Sequence, residues 1–598
     1  MIINPSFHSS ITYNPLQRES IQHLEKDCNL VIMAPTSSGK TCVAEQYLFQ
    51  AVERGLKGIY LSPLKALTEE KRRSWESLYP ITMVTGDHIQ PHTFNTPLIL
   101  MTTEALDSKT RGNPSWLKSI GCVAVDEAHL MSSPNRGDSL EIGLMRFTAI
   151  NREARIMLLS ATIPNARDFA KWLTKLNGKE TVIVETSWRP VEQEHHLVLA
   201  GEKPWDVIKK TKETIAKLSA QHPDKQMIIF VHTVGRGINL AKDLGCPFHY
   251  SKVSMEKRQA IEEAFSQKKI SRIVATSTLA YGVNLPADIV VISGATRGPT
   301  TVDPIDIKQE AGRAGRYGLS ERGYSYYVFE KFLGKDFYET CLQTPPVYSV
   351  LRDHLYFHIV SFVQREGMQR EDIKAFCARA FAEDLDVDGH IEKLQEAGVL
   401  CPGEYLMTTK IGKAAALMYI DPLDLVALYN NLAGKPTDTV AIAKAFAMIP
   451  SNAYPCWIPE DIEEVAVSCP FAKQTIDATC LAIWMSGKEA YGTFTTLTPM
   501  LVRDVDRWAS AMTIAGVNAD YMKAISLMLT KGISYNLIEL CQQKGIGRKK
   551  AMKLYEHGFR TLDDVLAKKV NAIALLGKKI VTDIENAKRN DGKVVLNF

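Results

Sequence analysis

The sequence predicts an α/β protein: two tandem lobes built on parallel sheets, followed by a mostly helical C-terminal half. Three observations predict it. Up to about residue 330, short β-rich apolar runs alternate with helical patterns, as strands buried on both faces of a parallel sheet do. The runs fall into two series separated by Thr186-Ser187-Trp188-Arg189-Pro190, a turn-rich joint suited to linking two lobes. From about residue 346 such runs nearly vanish and apolar residues recur at helical spacing, as in Leu351, Leu355, His358, Ile359 and Phe362.

The first series consists of Asn29 to Met33, Gly58 to Leu61, Leu98 to Met101, Cys122 to Val125 and Arg155 to Leu159. The second consists of Met227 to Val231, Ile270 to Ala275 and Ile289 to Ser293. In the helical half, residues 346–415 read as three helices and a short hairpin from Val399 to Met407, the pattern of a winged helix. Residues 416–530 read as an all-helical bundle, and 531–598 as a compact, Lys-rich helical unit. The expected domains are therefore 1–195, 196–345, 346–415, 416–530 and 531–598.

A chain of 598 residues, 45% hydrophobic and 23% charged, buries enough surface to fold without disulfide or metal staples and is neither disordered nor fibrous. Its 71 Lys and Arg against 67 Asp and Glu leave +4, too little to argue for any anionic partner, so a basic surface must be local. The 11 cysteines form no CxxC pair and read as reduced core thiols. The N-terminus lacks a signal-peptide pattern and no run of about 18 apolar residues occurs. The expectation is a soluble intracellular protein with no membrane partner.

The strand Asn29 to Met33 runs into Ala34-Pro35-Thr36-Ser37-Ser38-Gly39-Lys40-Thr41 and then a helix with Val43, Tyr47 and Ala51 on one face. A phosphate-binding loop needs this context, since backbone N–H groups and a helix N-terminus face the phosphates. Lys40 is placed to reach the β- and γ-oxygens, and Thr41 to ligate Mg²⁺. The pattern's first glycine is Ala34. A second strand delivers Asp126-Glu127-Ala128-His129. There Asp126 is the expected Mg²⁺ ligand and Glu127 the group that orients or deprotonates the attacking water.

These residues, with others in order, resemble the superfamily-two helicases. The first lobe supplies Gln17, the phosphate loop, Pro63-Leu64-Lys65-Ala66-Leu67, Thr85-Gly86-Asp87, Thr102-Thr103-Glu104, Asp126-Glu127-Ala128-His129 and Ser160-Ala161-Thr162. The second supplies Phe230-Val231-His232-Thr233, Thr276 onward to Gly282-Val283-Asn284-Leu285-Pro286, and Gln309-Glu310-Ala311-Gly312-Arg313-Ala314-Gly315-Arg316. The wording is most similar to the Ski-like branch and, within it, the archaeal Hjm-type DNA repair helicases. The resemblance implies two RecA-like lobes with ATP bound between them. It implies that Gln17 reads the adenine, that Arg313 and Arg316 reach the γ-phosphate, and that Gln309, Gly282 and Asn284 join the ATP site. His129, Ser160 and Thr162 would couple the lobes.

For nucleic acid, Lys65, Thr102, Thr233 and Thr276 are candidates for holding a phosphodiester backbone without reading sequence, each with loop or capping duty as its competing reading. In the C-terminal unit Gly545, Gly547, Arg548 and Lys549 belong to a helix, Gly-x-Gly turn and helix that resembles a helix-hairpin-helix DNA clamp. Residues 541–598 carry thirteen Lys and Arg against six Asp and Glu, a balance of +7, more than the chain's whole net charge. Leu576-Gly577-Lys578-Lys579 reads as a second, weaker hairpin. Trp508 is a candidate base-stacking residue, with simple core packing as the alternative. Thr296 to Thr301 falls where related helicases carry a strand-separating hairpin and looks short. Asp384 to Gly389 begins like a calcium loop but has Gln395 where the bidentate Glu belongs, so Asp388 reads as a helix cap.

The expected activity is an ATP- and Mg²⁺-dependent DNA helicase acting as a monomer, moving 3′ to 5′ on single strands and unwinding forked or gapped duplexes. Its place would be cytoplasmic, on the nucleoid if prokaryotic. Two alternatives stay open: an RNA helicase of the same branch, and an ATP-gated DNA clamp without unwinding.

Overall fold

In the computed structural model, the described residues are 13–35, 38–63, 65–85, 94–112, 114–134, 136–189, 191–201, 203–277, 279–280, 285–297, 300–315, 320–343, 345–488 and 491–591. The first lobe is a seven-stranded sheet of β1 (Asn29–Met33), β2 (Lys57–Ser62), β3 (Ile81–Val84), β4 (Leu98–Thr102), β5 (Ile120–Val125), β6 (Arg155–Ser160) and β7 (Thr181–Glu185). Its spatial order is β3-β4-β2-β5-β6-β1-β7, and every neighbouring pair is parallel. Strands β1, β4 and β6 are buried at every residue, which is why they stand out as continuous apolar runs. The two outer strands, β3 and β7, are half-buried. Their sequences mix polar with apolar residues, and reading by apolar runs passes over them.

The second lobe holds β8 (Glu192–Leu199), β9 (Met227–Val231), β10 (Phe248–His249), β11 (Arg272–Ala275), β12 (Ile289–Ser293), the two-residue strands β13 (Thr296–Arg297) and β14 (Thr300–Thr301), and β15 (Arg322–Phe329). Six of these form a second all-parallel sheet in the order β10-β11-β9-β12-β15-β8. The edge strand β8 contains Glu194-His195-His196. It starts at Glu192, four residues before the expected lobe boundary, because Glu192 to His195 already pair with Arg322 to Ser325. The strand expected from Ile270 begins at Arg272. β13 and β14 pair antiparallel as a small hairpin. Glu330 holds its base, accepting from the Ala295 N–H at 2.9 Å and the Thr296 hydroxyl at 2.7 Å.

Both lobes belong to one unit, Met1–Arg352 with Ala378–Leu385. The returning segment is anchored on the first lobe. The Arg379 guanidinium donates to Met145 O, Thr148 Oγ1 and Leu176 O at 3.1, 2.7 and 3.1 Å, and Phe381 stacks on Phe169. Buried Glu141 accepts from the Phe381 and Ala382 amides.

The other unit takes in Asp353–Cys377 and Asp386–Phe598. Its helices include Arg370–Cys377, Val387–Glu396 and Lys410–Met418. Two short antiparallel strands, β16 (Met368–Gln369) and β17 (Tyr405–Leu406), complete the hairpin region with a bridge between Leu400 and Thr408. The cap of the helix Val387–Glu396 is Asp386, whose Oδ1 accepts from the Gly389 N–H at 2.9 Å. This corrects the expectation for Asp388, whose carboxylate instead pairs with Lys374 at 2.9 Å and Arg370 at 3.4 Å. One hydrophobic core runs from Ala414 to Ile584, so the expected bundle and the Lys-rich unit share it.

Candidate ATP site and nucleic-acid edge

The motif residues lie at or just beyond the C-terminal ends of parallel strands, the edge at which open α/β sheets bind ligands. Strands β6, β1 and β5 are neighbours or nearly so, which gathers Ser160, the phosphate loop and Asp126-Glu127 into one place. The loop is braced from outside. Asn14 and Gln17 form a reciprocal capping box on the helix Pro15–Ile21, while Asn14 Nδ2 donates to Ser38 O at 2.8 Å and Gln17 Nε2 to Gly39 O at 3.4 Å. Gln17, expected at the adenine, thus has its amide engaged with the loop backbone. Gly39 takes φ +86°, the left-handed region that favours glycine, and a Cβ there would stand 2.5 Å from Gln17 Nε2.

The helix Lys40–Glu53 buries Val43, Ala44, Tyr47, Leu48 and Ala51 beneath the sheet. It fixes Lys40 and Thr41 in its first turn. The Lys40 ammonium donates to Ala34 O at 2.6 Å and Pro35 O at 3.0 Å. Burial pushes the Lys40 amine down, while Glu127 and Asp126 push it up. Asp126 accepts from the Tyr60 hydroxyl and from the Glu127 N–H at 3.0 Å. Tyr60 had no sequence motif. Its only signal was a phenol in a buried strand, which must find a partner. Glu127 sits at φ +52°. Burial raises its carboxyl above the usual range, opposed first by Lys40 and then by Arg313, so a second-lobe cation acts on the first-lobe carboxylate. Arg313 itself donates through Nε to Ala280 O at 3.1 Å.

His129 joins the lobes. Its Nε2 lies 3.2 Å from Gln309 Nε2 and its Nδ1 3.4 Å from Ser160 Oγ. Burial holds its pKa down at about 4, so the ring is neutral at pH 7. A neutral ring that accepts from the Gln309 amide at Nε2 carries its proton on Nδ1, aimed at Ser160. Gln309 is therefore seated at the lobe coupling as well as beside the ATP site. Thr162 Oγ1 and Ser38 Oγ are buried and without a hydrogen-bond partner among the described residues. Thr36, Ser37, Gly282, Asn284 and Arg316 lie outside the described residues.

Residues 14–169 match the DEAD/DEAH box helicase model and residues 208–318 the helicase conserved C-terminal domain. The chain is 26% identical to the ATP-dependent DNA helicase Hel308 of Thermoplasma acidophilum, over 92% of this chain and 91% of that one. The same-named proteins of Methanocella arvoryzae and Aeropyrum pernix are 26% and 27% identical, over 95% and 91% of this chain and 92% and 86% of theirs. The chain is thus similar to the superfamily-two helicases, and to those of the Hjm type over most of its length. It is a nucleic-acid-dependent ATPase.

The helicase carries its nucleic-acid candidates on the strands beside those of the ATP site. Lys65 begins the helix after β2 and is exposed, and Thr102 ends β4. Thr233 follows β9 and Thr276 follows β11. The Thr102 hydroxyl accepts from the Ala105 N–H at 3.3 Å and the Thr233 hydroxyl from the Arg236 N–H at 3.4 Å, so both cap helices. Accepting these bonds leaves each hydroxyl its own proton to donate. In the C-terminal unit, the turn before the helix Arg548–Glu556 holds Gly545 at φ +92° and Gly547 as the helix cap. Lys549 is exposed. Arg548 instead stacks over Trp484 at 4.6 Å and donates to Lys488 O at 2.8 Å. Leu576 ends one helix, Gly577 takes φ +86°, and Lys578 opens the last helix, forming a second hairpin. Trp508 is half-buried and packs on the core. Among the described residues no helix is long and apolar enough to cross a membrane.

Proposed function

We propose that this helicase is an ATP-dependent DNA helicase that moves 3′ to 5′ along single strands as a monomer and opens forked or gapped duplexes in replication or repair. The single observation that carries the motor reading is the His129–Gln309 contact, because it ties hydrolysis in one lobe to the position of the other. The hairpin unit and the DNA helicases among the relatives favour DNA. In this reading the five expected domains act as two motor lobes, a winged helix, a ratchet-like bundle and a hairpin clamp. The chain works in the cytoplasm, on the nucleoid if its cell is prokaryotic.

Lys40 leaves the loop carbonyls for the β- and γ-phosphate oxygens of ATP, which are stronger acceptors for an ammonium. Glu127 orients the attacking water and takes its proton, with Lys40 and Arg313 opposing the upward push of burial on its carboxyl. Arg313 neutralises charge on the transferring phosphoryl group, and Arg316 is proposed to share that role. Thr41 and Asp126 are both hard oxygen donors, and two protein ligands with phosphate oxygens and waters completing the shell suit Mg²⁺. Bound there, Mg²⁺ would neutralise developing charge on the phosphates. Hydrolysis removes what Arg313 grips. The helix Pro304–Ala311 can then shift against His129, moving Thr233 and Thr276 relative to Thr102 and Lys65.

The test compares ATPase stimulation by single-stranded DNA and RNA, followed by displacement of 3′-tailed and 5′-tailed duplexes. Stimulation by DNA and displacement from the 3′ tail are expected. Stimulation by RNA alone, or DNA stimulation with no displacement from either tail, would overturn the proposal.

A further inference from the structure

Beside the phosphate loop lies a cavity of about 280 Å³, whose walls include Pro35, Thr162, Arg189, His195, Lys308 and Gln309. It is several times the ~30 Å³ share of one water molecule. Pro35 and Thr162 come from the first lobe, His195, Lys308 and Gln309 from the second, and Arg189 from the joint between them.

None of the described lining residues carries a carboxylate, whereas Arg189 and Lys308 bring two cations. Burial pushes both below their usual range, and the charge of Arg189 also opposes Lys308 and Lys40. Thr162 Oγ1 adds a buried hydroxyl without a hydrogen-bond partner among the described residues. A pocket of cations and a hydroxyl donor, with no anion among its described lining residues, is chemically complementary to a small oxyanion.

The cavity is beside the hydrolysis position and not at it. Lys40, Asp126, Glu127 and Arg313 do not line it, while His129 and Gln309, which touch each other, do. The His129–Gln309 contact is thus part of the cavity wall. Hydrolysis joins a water oxygen to the γ-phosphorus as the bond to the β–γ bridging oxygen breaks, leaving ADP and inorganic phosphate. We infer that the cavity is an oxyanion pocket that receives this inorganic phosphate before it leaves, with Arg189 as its principal ligand. The inference rests on the ATPase reading and adds a product site to it.

The test measures inhibition of nucleic-acid-stimulated hydrolysis by inorganic phosphate, with inhibition by ADP alongside, in the parent, Arg189→Gln and Arg189→Lys. Loss of one charged hydrogen-bonding group should raise the phosphate inhibition constant about tenfold or more in Arg189→Gln. Arg189→Lys should recover part of the loss, and the ADP constant should stay within about twofold in both variants. Equal phosphate constants in parent and Arg189→Gln would overturn the pocket. A parallel shift in both constants would also overturn it, because Arg189 would then belong to the nucleotide site. If Arg189→Gln does not fold by circular dichroism, Thr162→Val replaces it, with a rise of about threefold expected and no rise counting against the pocket. A parent with no stimulated hydrolysis would overturn the functional reading itself.

Discussion

Gln309 and Glu310 are adjacent on one helix, yet chemistry separates them. Gln309 reaches His129 across the lobes, so Gln309→Ala should uncouple hydrolysis from strand binding. ATPase stimulation by nucleic acid should fall about tenfold, within the usual span of coupling energies, with KM for ATP changed by less than about threefold. Steady-state ATPase titrations check this. Glu310 is fully buried, neither oxygen has a hydrogen-bond partner among the described residues, and His232 is 3.7 Å away, beyond hydrogen-bonding reach. Burial, then the charge of Asp306, raises its carboxyl well above the usual range. The folded state thus keeps a proton that the unfolded chain loses, and stability falls as pH rises above the ordinary carboxylate pKa. Glu310→Gln removes that penalty. Its stability gain over the parent should be larger at pH 8 than at pH 5, growing by at most about 1.4 kcal/mol per pH unit. Denaturant unfolding at the two pH values decides it. His129 runs the opposite way: its pKa of about 4 makes its contribution fall as pH drops from about 6.5 towards 4.

At the scale of elements, the strands legible in the sequence are those whose faces are both covered. β1, β4 and β6 were visible as unbroken apolar runs, whereas β3, β7, β8 and β15 carry polar residues on partly open faces and gave no such run. The phosphate loop and Asp126-Glu127 were readable because their chemistry fixes residue types at fixed offsets from a strand end. Tyr60 and Arg189 were not, since each matters only through residues distant in sequence. The helix-hairpin-helix was readable as a motif, but its independence was not: Leu537, Ile546, Leu554 and Ile584 belong to the core that begins at Ala414. Truncating the tail would open that core, so its role is better probed on the surface. Lys549 and Lys550 are exposed beside the turn. Replacing both with Ala should lower the slope of log affinity against log salt by about one per lysine that meets a phosphate, with thermal stability kept. Fluorescence anisotropy from low to moderate salt measures it.

For the whole molecule, two parallel sheets put the candidate nucleotide residues and the candidate nucleic-acid residues on neighbouring strand ends. In the first sheet the ATP residues follow β1, β5 and β6 while Lys65 and Thr102 follow β2 and β4, on the far side of β5. The account stands on second-lobe cations completing a first-lobe phosphate site, and Arg313 is the described second-lobe residue whose charge reaches Glu127. The most direct test is nucleic-acid-stimulated ATP turnover by Arg313→Ala, with nucleotide binding measured in parallel. A fall of about 10³-fold in kcat, with ATP still bound, is predicted. Turnover at the parent rate would contradict the account.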